Sequence, residues 1–248
     1  MSAPAPAITR VLAQSRFELG TLLRNGEQLL VSLVLPLLAL VGLAVSTVPS
    51  LGTGRRIDLA VPGVLALCVI SASFTSAAIA TGFERRSAVL RLLGTTPLGR
   101  DGLLSAKALA TLGVEVLQCV VIGAVGLVLG WRPEVAGLGY SVVFLLLGTW
   151  AFVALALLLA GTVRAEGVLA VANLVWVLLL VAGGAVVPRT ELPGMVSTAV
   201  AVLPSSALGD GLRAALAEGR LTVAPVVVLV LWGLGATALT ARTFRWSD

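Results

Sequence analysis

Several apolar stretches, each longer than ~18 residues and carrying few or no charges, dominate this chain. A run of that length matches the ~30 Å hydrocarbon core of a bilayer, where every backbone N–H and C=O must find a partner within the protein. Strand-like alternation is absent, so the runs read as helices rather than barrel strands. The expected fold is an all-α polytopic membrane protein. Charge agrees: 12% of the residues are charged, against about 25% in an ordinary soluble domain.

Six spans are expected, at about 29–48, 59–82, 103–129, 138–163, 167–187 and 221–241. Pro36 falls inside the first as an expected kink, and the second has a hydroxyl-rich centre of Ser71, Ser73, Thr75 and Ser76. Residues 1–28 precede them as a short Pro-containing tail and an interfacial helix. There Ile8, Val11, Leu12, Phe17, Leu19, Leu22 and Leu23 alternate with Arg10, Arg16, Glu18 and Arg24 at helical spacing. No cleavable secretory signal is expected, because the first apolar run starts only after this mixed segment. Residues 29–241 then form the membrane domain and 242–248 a short tail. Lys and Arg near the termini and between spans two and three outnumber those on the other side. Both termini are therefore expected in the cytoplasm.

The longest charged interruption, Phe83–Leu104, contains Glu84, Arg85, Arg86, Arg91, Arg100 and Asp101. Val89, Leu90, Leu92 and Leu93 can cover one side of a short helix while Arg85 and Arg91 stay wet; Gly94 and Pro97 stop it. An amphipathic helix at about 84–96 is expected, presenting Glu84, Arg85, Arg86, Arg91, Thr96 and Pro97 to a partner. A second irregular stretch, 188–217, holds the apolar piece Met195–Leu203 between Pro193 and Pro204, too short to cross a membrane. It reads as a re-entrant exit segment with Pro188, Pro193, Pro204 and Arg213.

Inside the third span, Lys107, Thr111, Glu115 and Gln118 fall at spacings that place them on one helix face. A carboxylate at that depth costs ~2.5–3.5 kcal/mol even on a lenient scale, so the stripe must face protein or water. It is expected to line a path or a subunit interface, or to join helices. Asn173, three residues before Trp176 in the fifth span, is a further polar group of the same kind.

The sequence holds no histidine and one lysine, which removes imidazole acid–base chemistry, bis-His haem ligation and the usual zinc sites. It has no GxxxxGK[ST] phosphate loop, no paired aspartates for magnesium-pyrophosphate chemistry and no Ser–His pair. The net charge of +5 sits at span ends without interleaved aromatics, which fits topology signalling rather than nucleic-acid binding.

Two motifs, in order, carry a resemblance. The loop after span two shows Glu84, Leu90-Arg91-Leu92, Thr96-Pro97-Leu98, Arg100 and Lys107; the stretch before span six shows Gly184, Pro188, Leu192-Pro193, Leu203-Pro204 and Leu212-Arg213. The pattern resembles the permease subunit of an ABC-2 type (type V) ABC transporter. It departs where that family has Gly-Thr, here Ala88-Val89, and where it has Gly before Lys, here Ala106. The resemblance implies a cytoplasmic coupling helix and two cytosolic ABC ATPase subunits that carry ATP and Mg. It also implies a second permease subunit, a bacterial plasma membrane, and export of a drug-like or lipid-like amphiphile. On this chain it implies no catalytic, cofactor or metal residue. The other readings are a membrane-embedded enzyme or cofactor-assembly factor, which the missing His and Asp pairs disfavour, and a secondary transporter needing no ATPase.

Overall fold

The computed structural model describes residues 5–244, apart from the side chains at positions 27–29, 31, 91, 94, 100 and 182. The outermost tail residues, 1–4 and 245–248, lie outside it. Ten helices of more than one turn follow one another in that range: α1 Ala7–Arg24, α2 Gly26–Val45, α3 Arg56–Arg86, α4 Val89–Gly94, α5 Gly99–Val128, α6 Val135–Thr162, α7 Ala165–Ala182, α8 Gly194–Val200, α9 Pro204–Glu218 and α10 Val223–Thr243. No strand occurs among the described residues.

Four of these helices, α3, α5, α6 and α10, are long and apolar enough to cross a membrane. The helices α8 and α9 form a pair bent by 94°, and Ser32–Val45 and Ala165–Val181 are shorter apolar helices. With the bent pair not itself crossing, six spans require both shorter helices to cross as well.

The helix α3 runs through the middle, with 78% of its most apolar window buried. Its small residues make that possible, since Ala60, Gly63, Ala66, Ser73, Ala78 and Gly82 let neighbours approach. It is not a uniform α-helix: residues Ile70–Ser76 form a π-turn, with the backbone bonded at a wider spacing. Phe74, in that turn, meets Phe152 of α6 edge to face, with ring centroids 6.5 Å apart.

Against α3 pack α6 and α9, which close the core through Phe144, Leu208, Leu212 and Leu216. The contact needs glycine. A Cβ at Gly137 would lie 1.7 Å from the Ala215 carbonyl oxygen, so only a bare Cα lets α6 reach α9 there. The Glu134 N–H donates to Leu216 O at 3.0 Å, fastening the α5–α6 loop to the end of α9. At the same end, Arg56 caps α2 by donating to Leu43 O at 2.6 Å and Pro49 O at 2.7 Å.

The loop between α3 and α5 differs from the expected single helix over 84–96. The membrane helix continues through Arg86, so Glu84, Arg85 and Arg86 belong to its last turn. Only Val89–Gly94 forms a separate short helix. The break is Ala88, held at φ 60° in the left-handed region. In that region a Cβ costs ~1–2 kcal/mol. The Ala88→Gly change is expected to raise stability by about 1 kcal/mol, seen as a higher Tm of the purified protein. An unchanged or lower Tm would mean the strain is relieved elsewhere.

Candidate functional site

At the end of the bundle holding the α3–α5 loop, one ammonium group joins three helices. Lys107 of α5 is 3% exposed, and its Nζ donates to Glu18 of α1 at 3.1 Å and to Glu84 of α3 at 2.9 Å. Two carboxylates around one buried cation form a charge-assisted knot that fixes α1 and the end of α3 to α5. Arg10 of α1 adds a bond from its guanidinium to Pro97 O in the loop.

Arg85 corrects the expectation that it stays wet. It is 5% exposed and turns inward, donating to Ala160 O and Val163 O at the C-terminal end of α6. The orphan carbonyls of a helix end and the negative pole of its dipole explain the attraction. Glu84 likewise points into the knot, with 25% of its side chain left exposed. Arg86, Thr96 and Pro97 are exposed, whereas the Arg91 side chain lies outside the described residues.

The short α4 is anchored by Leu90, which is fully buried with Leu103, Val153, Leu157 and Phe244. Val89 and Leu92 are left exposed on its outer side. Beside it, Arg10, Gln14, Leu93, Thr96, Pro97 and Leu98 line a groove of about 460 Å³ between α1 and the loop.

The polar stripe on α5 lies inside the chain. Thr111, Glu115 and Gln118 are 5%, 3% and 1% exposed. Glu115 accepts from the Ser73 hydroxyl in the π-turn and the Thr149 hydroxyl of α6, each at 2.5 Å. Gln118 donates to Ser32 O of α2 at 3.0 Å. The contacts of Glu115 and Gln118 join helices of a single chain, and Thr111 is buried on the same face.

Asn173 is placed differently. It is exposed on α7 and lines a cleft of about 970 Å³ between α2, α3 and α7. The cleft has walls of Leu35, Pro36, Leu67, Leu180 and Val181, with Ser71, Thr75 and Ser76 along the π-turn and, among the described residues, no ionisable side chain. Trp176 closes one side, its indole N–H donating to Ser71 Oγ at 2.9 Å.

Before the last span, Arg213 of α9 is 6% exposed and acts as a clamp. Its guanidinium donates to Gly184 O and Ala185 O at 2.8 Å each and to Asp210 at 3.1 Å. Asp210 also pairs with Arg189 at 2.7 Å. Pro188 and Pro204 are buried, and Pro193 is exposed at the start of α8. Pro204 is the first residue of α9, where a missing N–H costs nothing.

Sequence reasoning missed Glu18, Thr149 and Asp210. The last was within reach, because Asp210 and Arg213 are three apart on one helix. Among the described residues, no group of three or more His, Cys, Asp or Glu side chains could hold a metal ion.

The family model described as ABC-2 type transporter matches residues 9–217, from α1 to the last turn of α9. The chain belongs to the ABC-2 type transporter family. It is thus a permease component of an ABC transporter, with a bundle of apolar helices for the membrane. No curated protein matches the permease.

Proposed function

We propose that this permease is the membrane part of an ATP-driven exporter that moves a hydrophobic or amphiphilic cargo out of a bacterial cytoplasm. ATP and Mg bind on two separate cytosolic ABC ATPase subunits, which grip the end of the bundle carrying α4. A second permease subunit, identical or homologous, completes the membrane unit. Both termini then face the cytoplasm, and the bent pair α8–α9 is a re-entrant piece beside the exit.

The observation that carries this reading is α4 itself. It is a short helix with one leucine sunk into the bundle and an exposed apolar side, Val89 and Leu92, turned outward. A rigid knob of that kind transmits a push, because Leu90 and the Lys107 knot tie it to α1, α3, α5 and α6. Arg86, Thr96 and Pro97 supply the polar rim of the docking face. Nucleotide drives the change only through different contacts of the ATPases with the two permease conformations.

The test is cross-linking in the intact membrane. Leu92→Cys is expected to capture an ABC ATPase, and Val135→Cys, exposed at the opposite end of the bundle, is expected to capture none. Labelling of Leu92→Cys by an impermeant maleimide from outside the cell would reverse the orientation and end the proposal.

A further inference from the structure

We infer that α6 and α10 act as one rod that carries a displacement of α4 to the bent segment α8–α9, with Phe244 as the positioning residue that seats α4 on it. The inference rests on the proposed reading of α4 as the end that a partner pushes. Both α10 and Phe244 lie outside the residues matched by the family model.

The two helices are locked along their length. Neither is broken between its ends. They meet closely at two glycines: a Cβ at Gly161 would stand 2.4 Å from the Phe244 ring, and one at Gly233 would stand 2.7 Å from the Trp150 ring. Between these levels the buried Thr240 hydroxyl donates to Ala154 O at 3.2 Å. Contacts that tight leave no room for one helix to slide past the other without repacking both.

One end of the rod holds α4. The chain leaves α10 at Phe244, with φ −60° and ψ 124°, and the ring is 3% exposed. It joins Val153 and Leu157 of α6, Leu103 of α5 and Leu90 of α4 in an apolar cluster separate from the main core. Leu90 is the fully buried anchor of α4, so a force on that short helix acts on this seat first.

Further along, the rod holds the bent segment. Trp232, about 18 Å from Phe244 along α10, donates its indole N–H to Val202 O at 2.8 Å, at the corner between α8 and α9. From α6, the Phe144 ring packs so closely on α9 that a Cβ at Gly211 would stand 2.3 Å from it.

The neighbouring route is less direct. Although α3 leads into α4 along the chain, two breaks interrupt it, the π-turn at Ile70–Ser76 and the left-handed joint at Ala88. Helices bend at such turns, so a push along α3 is absorbed part-way.

The experiment uses the purified full chain in phosphatidylcholine nanodiscs. Hydrogen exchange is read by mass spectrometry at the amides of Ala201 and Leu203, whose bonds to Ser197 O and Val200 O hold the corner. Leu90→Ala, placed in the α4 seat, is expected to speed exchange there about fivefold, the effect of one hydrogen bond released. Phe244→Ala should do the same. The two changes together should do no more than either alone, as for one shared route. Phe244→Met, which keeps the seat filled, should leave the rate near that of the unaltered chain. Trp232→Phe removes the N–H and keeps an aromatic ring; it should raise the rate by itself, and Leu90→Ala should then add nothing.

Exchange at Ala201 and Leu203 unmoved by Leu90→Ala and Phe244→Ala would overturn the inference, and so would additive effects. An equal rise along 116–128 of α5 would overturn it as well, because the loosening would then be general. Should the alanine variants not fold, Leu90→Val and Trp232→Phe decide the matter, and an unchanged rate in both would sink the rod. No ATPase is present in the measurement, so the two readings fail separately. Coupled exchange without ATPase capture at Leu92→Cys keeps the rod and sinks the exporter; capture without coupled exchange does the reverse.

Discussion

Lys107→Met is expected to destabilise the permease by about 3–5 kcal/mol, the cost of leaving buried charge without its partner. The ammonium is 3% exposed and stands between the carboxylates of Glu18 and Glu84. Methionine fills the same volume but leaves two acids facing each other across α5. Glu84 keeps 25% of its side chain exposed and Glu18 keeps 12%, so some water reaches both and the effect falls toward the lower figure. A thermal melt in detergent reads it directly. Adding Glu18→Gln and Glu84→Gln to Lys107→Met should restore most of the loss, because the knot then holds no uncompensated charge. A single variant that melts normally, or a triple variant no better than the single, would contradict the assignment.

Arg213→Met is expected to cost about 2–4 kcal/mol, chiefly from two buried carbonyls that lose their donor. Gly184 O and Ala185 O each receive a bond from this side chain. Asp210 would keep its contact with Arg189, so the aspartate is not stranded. The comparison variant is Arg189→Met: that residue is 44% exposed and its pair with Asp210 should be worth no more than about 1 kcal/mol. A local readout separates loosening of the clamp from general unfolding. Ser206 is fully buried beside Gly184, and a cysteine placed there should react with maleimide only when Arg213 is replaced. Equal reactivity in both backgrounds would show that the guanidinium does not hold the segment.

The helical membrane bundle was legible because apolar run length alone separates a span from a soluble helix. The loop after α3 was legible too, since charge concentrates there and Pro97 marks its end. The direction of Arg85 was not legible. Helical spacing places it on the rim of the membrane, but the carbonyls that draw it inward belong to α6, 75 residues away for Ala160. The same distance problem hid Glu18, which lies 89 residues from the lysine it binds. The hydroxyl cluster at 71–76 was visible as composition, yet its sorting into an inner and an outer set depends on the π-turn. A pattern read at 3.6 residues per turn cannot register the extra residue that such a turn absorbs. Glu115 was visible as an energetic anomaly, and the hydroxyls of Ser73 and Thr149 that meet it come from other helices.

The length of α7 carries a mechanical consequence. Its 18 residues rise only about 27 Å, less than the ~30 Å of hydrocarbon in an average bilayer. As a crossing it has to stand upright and pinch the leaflets beside it, at a cost of a fraction of a kcal/mol per Å of mismatch. The pinch falls along one flank of the cleft. A thicker, long-chain membrane would therefore press on that flank first.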